Sequence, residues 1–107
     1  MSNTVLELST AHITKGDNDE LHRMALQELD KEFGSPFCIG EHHYGYFIMV
    51  PGDEESLEER MNLCKQQDFG MSDSFWKIMS HAVRNDHRVI LLDCDADVVE
   101  GFIEHDW

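Results

Sequence analysis

The segment Arg88-Val89-Ile90-Leu91-Leu92 constrains the fold more than any other stretch of the chain. After Arg88 it is a short, unbroken apolar run of β-branched and leucine residues. Such a run is too short for a helix and too apolar for a half-solvated strand. It predicts a strand inside a sheet, with neighbours on both sides. The rest of the chain must therefore supply other strands and the helices that cover them.

Those elements can be read in order. Val5 to Leu8 is a first strand, followed by the block Ser9-Thr10-Ala11-His12-Ile13-Thr14 and a turn at Lys15-Gly16. A helix is predicted next, with Asp17 or Asn18 as its cap and Asp19 and Glu20 near the positive end of its dipole. Leu21, Met24, Ala25, Leu29 and Phe33 recur at helical spacing. Gly34 ends this helix and Pro36 blocks its continuation. Phe37-Cys38-Ile39 and Tyr44 to Val50 form a predicted hairpin, linked by the polar residues Glu41-His42-His43 and stopped by Pro51-Gly52. A second helix covers Glu54 to Gln67, with Leu57, Met61, Leu63 and Cys64 apolar and an acidic first turn. Ser72 caps a third helix that runs to Arg84, whose buried face is Phe75, Ile78, Met79, Ala82 and Val83. The apolar strand follows. The order β-α-β-β-α-α-β predicts an α+β domain, a four-stranded sheet with three helices packed mainly on one face. At 107 residues, positions 1–107 form one domain. Val98, Val99, Phe102, Ile103 and Trp107 thread the tail and are expected to hold it against the body.

Charge then excludes partners. There are 22 acids against 8 Lys and Arg, a formal charge of −14. Direct binding to nucleic acid needs clustered cations, and so does attraction to an anionic membrane. Neither is expected. Residues 1–10 lack the basic segment and apolar run of a secretory leader, and no run is long enough to span a bilayer. Three cysteines, Cys38, Cys64 and Cys94, make no disulfide framework. They read as small buried hydrophobes in a reducing compartment, and the location expected is cytoplasmic.

Several blocks occur together in a known arrangement. They are Leu8-Ser9-Thr10-Ala11-His12-Ile13-Thr14, Gly45-Tyr46-Phe47-Ile48-Met49-Val50-Pro51, Gly70-Met71-Ser72, Leu91-Leu92-Asp93-Cys94-Asp95-Ala96-Asp97 and the terminal Asp106-Trp107. With them the chain resembles a family of short, acidic bacterial proteins classed only as a domain of unknown function. The blocks span about half of the chain. Two departures stand out: His105 precedes Asp106-Trp107 where the family has an aromatic residue, and Asn85-Asp86-His87 stands where a Gly-Cys pair is expected. The resemblance implies a fold and a cytoplasmic location, and it implies no catalytic residues.

Candidate sites follow from residue type and spacing. Asp93, Asp95 and Asp97 alternate at the end of the apolar strand, as ligands do at the start of a calcium loop, and Glu104 falls at its twelfth position. Val98 stands where that loop needs Gly, and a strand precedes it where a helix belongs. No phosphate-binding loop accompanies the triplet. The plainer reading is an Asx-turn, with Asp93 or Asp95 accepting turn N–H groups. His12, His42, His43, His81, His87 and His105 lack zinc-site spacing. His12 is expected to organise its turn through a side-chain-to-backbone bond; a His12 pair with Cys38 or Cys94 is the nucleophilic alternative. Trp76 belongs at the margin of the third helix's buried face, and Trp107 docks the tail.

The acids cluster. Asp53, Glu54, Glu55, Glu58 and Glu59 open the second helix, and Asp93, Asp95, Asp97, Glu100, Glu104 and Asp106 follow the last strand with no Lys or Arg among them. The reading favoured is a non-enzymatic acidic protein-binding module. It would occupy a basic, nucleic-acid-binding cleft of a partner, such as a bacterial defence nuclease. Its binding residues are Asp53, Glu54, Glu55, Glu58, Glu59, Asp95, Asp97, Glu100, Glu104 and Asp106. One alternative is a small divalent-metal protein or hydrolase using Asp93, Asp95 and Asp97, the metal being its one cofactor. The other is a subunit that forms homodimers or joins a complex through its sheet edge or the Phe75-Trp76 surface.

Overall fold

The apolar strand does lie inside the sheet. In the computed structural model, which describes residues 4–28, 39–42 and 45–105, the elements are β1 (Val5–Ser9), a 3-10 turn (Thr10–His12), α1 (Lys15–Glu28), β2 (Ile39–His42), β3 (Gly45–Met49), α2 (Glu54–Gln66), α3 (Asp73–Arg84) and β4 (Val89–Asp93). The sheet has four strands in the order β1-β4-β3-β2. β4 pairs parallel with β1 and antiparallel with β3, and β2 closes the far edge antiparallel to β3. Among the described residues no helix is long and apolar enough to cross a membrane.

Register decides which residues reach the core. Leu6, Ile90, Ile48 and Ile39 form one row across the strands, and Leu8, Leu92, Tyr46 and Glu41 the next. Their apolar members are buried except for the half-buried Leu6, and they meet Leu21 and Met24 of α1, Leu57 and Cys64 of α2, and Phe75, Ile78, Met79 and Ala82 of α3. The i, i+3, i+4 spacing in α3 puts its large apolar residues on one stripe. Phe75 is only 1% exposed, so it belongs to the core and offers no oligomerisation surface beside Trp76. Trp76 is half-buried at the margin and meets the Phe75 ring edge-on at 5.0 Å.

The start of α1 differs from the sequence expectation. Its cap is Thr14, and Lys15-Gly16 forms the first turn of the helix. Thr14 Oγ1 accepts from the Asp17 N–H at 3.0 Å, and Asp17 Oδ2 accepts from the Thr14 N–H at 3.0 Å. This is a reciprocal capping box. Asp17 is 1% exposed and also accepts from the Ser72 N–H at 2.7 Å and from the Ser72 hydroxyl. Ser72 caps α3, its Oγ accepting from the Phe75 N–H at 3.2 Å. One carboxylate therefore ties the N-termini of two helices together. Asp53 caps α2 from the surface, and the hydrogen bonds it accepts from Ser56 hold its carboxyl below the usual range.

The hairpin is also tighter than expected. Glu41 and His42 belong to the strand, opposite Tyr46 and Gly45. The positions Leu29, Phe33, Gly34, Pro36, Phe37, Cys38, His43, Tyr44, Asp106 and Trp107 lie outside the described residues.

Both α2 and α3 end in the same way. Phe69 N–H returns to Cys64 O and Asp68 N–H to Lys65 O; His87 N–H returns to Ala82 O and Asp86 N–H to Val83 O. These are Schellman motifs, which need a left-handed residue just past the cap. Aspartates occupy both positions, Asp68 with φ 59° and Asp86 with φ 56°. An L-residue is strained there, and a negative charge opposes the helix dipole. Asp86→Gly is therefore expected to stabilise the fold by about 1 kcal/mol. Urea denaturation checks this through an upward shift in midpoint at constant slope.

Candidate functional site

The last strand ends where its parallel neighbour ends, and two features gather there. The first is a turn. Asp93 Oδ1 accepts from the Asp95 N–H at 2.8 Å, and Ala96 N–H donates to Asp93 O at 3.1 Å. This is the Asx-turn expected from the sequence. Oxygen and sulfur atoms of Asp93, Cys94 and Asp95 lie within 4.8 Å of one another; Asp97 does not belong to that group. The second feature is a cleft of about 460 Å³ lined by Ser9, Thr10, Asn18, Glu41, Tyr46, Cys94 and His105, among others. Tyr46 donates its phenolic proton to the Asn18 carbonyl at 3.2 Å. Burial, with Glu41 and Asp19 nearby, pushes that phenol up to about 12.

The tail closes over the 3-10 turn, and His12 fastens it. His12 is fully buried. Its Nε2 accepts from the Val99 N–H at 2.9 Å, so that nitrogen carries no proton. The proton is then on Nδ1, which donates to the Ile103 carbonyl at 3.1 Å. The side-chain-to-backbone bond expected of His12 exists, but its partners lie in the tail instead of in its own turn. This also removes His12 as the base for Cys94. His105 adds two more ties: its N–H donates to Ala11 O at 2.7 Å, and its Nε2 lies 2.8 Å from Ser74 Oγ. That distance would suit a nucleophile and base. Ser74 is only 8% exposed in the first turn of α3, however, and the pair fastens the tail.

Apolar burial contributes less to the tail than the sequence suggested. Val98, Val99 and Ile103 are exposed. Phe102 is the half-buried anchor, with its ring centroid 5.5 Å from His12 and 5.2 Å from His81. The tail follows the body because its backbone finds hydrogen-bond partners there. No local signal in the sequence pairs His12 with residues so distant along the chain.

The two acidic segments approach one helix. Glu54 and Glu58 line a groove together with Ser80 and Arg84 of α3. Asp73 and Glu100 line a second groove on the other side of α3, again with Ser80 and Arg84 and with Trp76 and Phe102. Arg84 Nε lies 3.4 Å from Glu54 Oε1, but both side chains are 70% exposed, so the pair adds little to stability. Glu55 and Glu59 are exposed on α2, and Asp95, Asp97 and Glu104 are exposed along the tail.

The cysteines divide by environment. Cys64 is buried, and burial with Glu20 nearby pushes its thiol up to about 11. Cys94, expected inside, is exposed because the strand has already ended in the Asx-turn. At about pH 8 iodoacetamide should label Cys94 at least tenfold faster than Cys64, as peptide mass mapping would show. Ionising Cys64 works against burial. Its contribution to stability is complete below 9.0 and is lost as pH rises toward about 11.

No curated protein and no solved structure matches the chain. One family does: the C-terminal domain of the family of unknown function DUF5983 matches residues 5–107, from the first strand through the tail. That match takes in the sheet, all three helices and the turn after β4, and the chain belongs to this family.

Proposed function

We propose that the protein is a non-enzymatic binding module whose acidic surface engages a basic surface on another protein. The observation that carries this reading is the convergence of two acidic segments on α3, with Ser80 and Arg84 lining the grooves on both sides. A ridge edged by Glu54 and Glu58 on one flank and by Asp73 and Glu100 on the other offers carboxylates to a cationic cleft, with Lys65, Lys77 and Arg84 among them. Charge of this kind steers association and favours partners rich in Lys and Arg. A nucleic-acid-binding cleft has that character, and the clefts of bacterial defence nucleases are the instance proposed.

The test is capture of a partner from the native host on immobilised protein at low salt, followed by titration of the purified pair. Affinity should fall at least tenfold between about 50 and about 300 mM salt. The variant Glu54→Gln/Glu58→Gln/Glu100→Gln should bind more weakly and with a shallower salt slope. Affinity that ignores salt would sink the reading.

A second reading is favoured by the Asp93, Cys94 and Asp95 group. Together they offer two carboxylates and a thiol to a divalent cation. Calorimetric titration with calcium, magnesium, manganese and zinc decides it; absence of heat with all four removes it.

A further inference from the structure

We propose that the outward face of the sheet is a docking surface for a basic amphipathic helix of another protein. This deepens the reading of the chain as a binding module, and it places a contact on a face away from the α3 ridge.

A sheet covered by helices on one side ordinarily alternates apolar inward and polar outward residues. Here the inward rows are apolar as expected. Two of the three outward rows are apolar except for Glu7: Val5, Val89 and Met49 align across β1, β4 and β3, and Glu7, Leu91 and Phe47 form the next row, while Ser9, Asp93, Gly45 and His42 make a polar third. Val5 and Phe47 are 45% exposed and Met49 is 49% exposed. Phe47 has a local task, since its ring lies over Gly40 of the edge strand. That contact leaves almost half of it in water. Contiguous apolar surface of this kind marks an interaction site more often than a solvated face.

Charge selects the occupant. In the strand register the charged outward positions are Glu7 and Asp93, both acids. A second copy would bring another chain of charge −14 against them. A partner with cations meets Glu7 in the middle of the apolar rows instead. Shape selects a helix. Strands of five residues are about 16 Å long. A helix of about 11 residues has the same length, and its apolar stripe can lie along β4 between Val5 and the Phe47–Met49 pair. Lys or Arg beside that stripe would reach Glu7.

The test uses the full chain and three labelled synthetic peptides of about four helical turns. One has Leu at helical spacing and Lys elsewhere. The second scrambles that composition, and the third replaces Lys by Glu in the same pattern. Fluorescence anisotropy should show the patterned basic peptide binding at least about tenfold more tightly than either control. Phe47→Ser/Met49→Ser should reduce that binding about tenfold, and Val5→Ser and Glu7→Lys severalfold. Circular dichroism identifies any variant that has not folded, and Val5→Ser then decides. Equal binding of the scrambled peptide overturns the proposal, as does full binding by folded Phe47→Ser/Met49→Ser or Val5→Ser. A dimer in sedimentation that Phe47→Ser/Met49→Ser dissociates also overturns it, because the occupant is then a second copy. If Glu54→Gln/Glu58→Gln/Glu100→Gln alone loses the peptide, the sheet proposal fails while the acidic-ridge reading stands. If the sheet variants alone lose it and the captured partner ignores salt, the reverse holds.

Discussion

Asp17→Ala is expected to lower stability by about 3 kcal/mol, which for a domain of this size is a drop in melting temperature of roughly 15 °C. The Asp17 carboxylate is buried and accepts from three groups: the Thr14 N–H, the Ser72 N–H and the Ser72 hydroxyl. Two of these are backbone donors at helix starts, and removing the acceptor leaves them unsatisfied. Asp17→Asn should recover little. The amide oxygen can replace one carboxylate oxygen, but the NH₂ that replaces the other then faces a backbone N–H. Thermal denaturation of both variants checks this. If Asp17→Asn behaves as wild type, the charge is not needed; if Asp17→Ala costs under about 1 kcal/mol, water replaces the carboxylate.

Gly45→Ala is the second large effect, at about 3 kcal/mol or loss of folding. A β-carbon at Gly45 would stand 1.8 Å from the Leu92 carbonyl oxygen, which is backbone on the neighbouring strand. Neither partner can rotate away. β3 and β4 would have to separate where Gly45 pairs with Asp93, at the end that borders the cleft. Gly52→Ala is the control, since a β-carbon there meets nothing within 4 Å. Denaturant midpoints of the two variants should differ widely. Equal midpoints would show that the strand ends yield easily.

These two residues also show what the sequence does and does not reveal. The element order, the central place of Val89–Leu92, the cap Ser72 and the face of α3 all follow from local spacing and side-chain chemistry. Each depends on neighbours a few residues away. Asp17 was visible as a residue suited to a helix start, but its bond to Ser72 joins distant segments and has no local signal. Gly45 has no local signal either, because its need comes from the backbone of another strand. The sites divide in the same way. The Asx-turn at Asp93 follows from spacing, and so does the acidic start of α2. The His12–tail bonds and the exposed sheet face do not, because each requires knowing which strands are neighbours and which face the helices leave uncovered.

The parallel pairing of β1 with β4 has a consequence for how the chain is born. Val5 leaves the ribosome well ahead of its partner Val89. β3 must also wait for β4 on its inner side. Contacts this remote along the chain form late, since the intervening loop must close first. β1 therefore stays unpaired until β4 has been made, open to chaperones and proteases. A chain halted before β4 leaves both β1 and β3 without their central neighbour. The order of the strands thus makes β4 the element on which completion of the sheet waits.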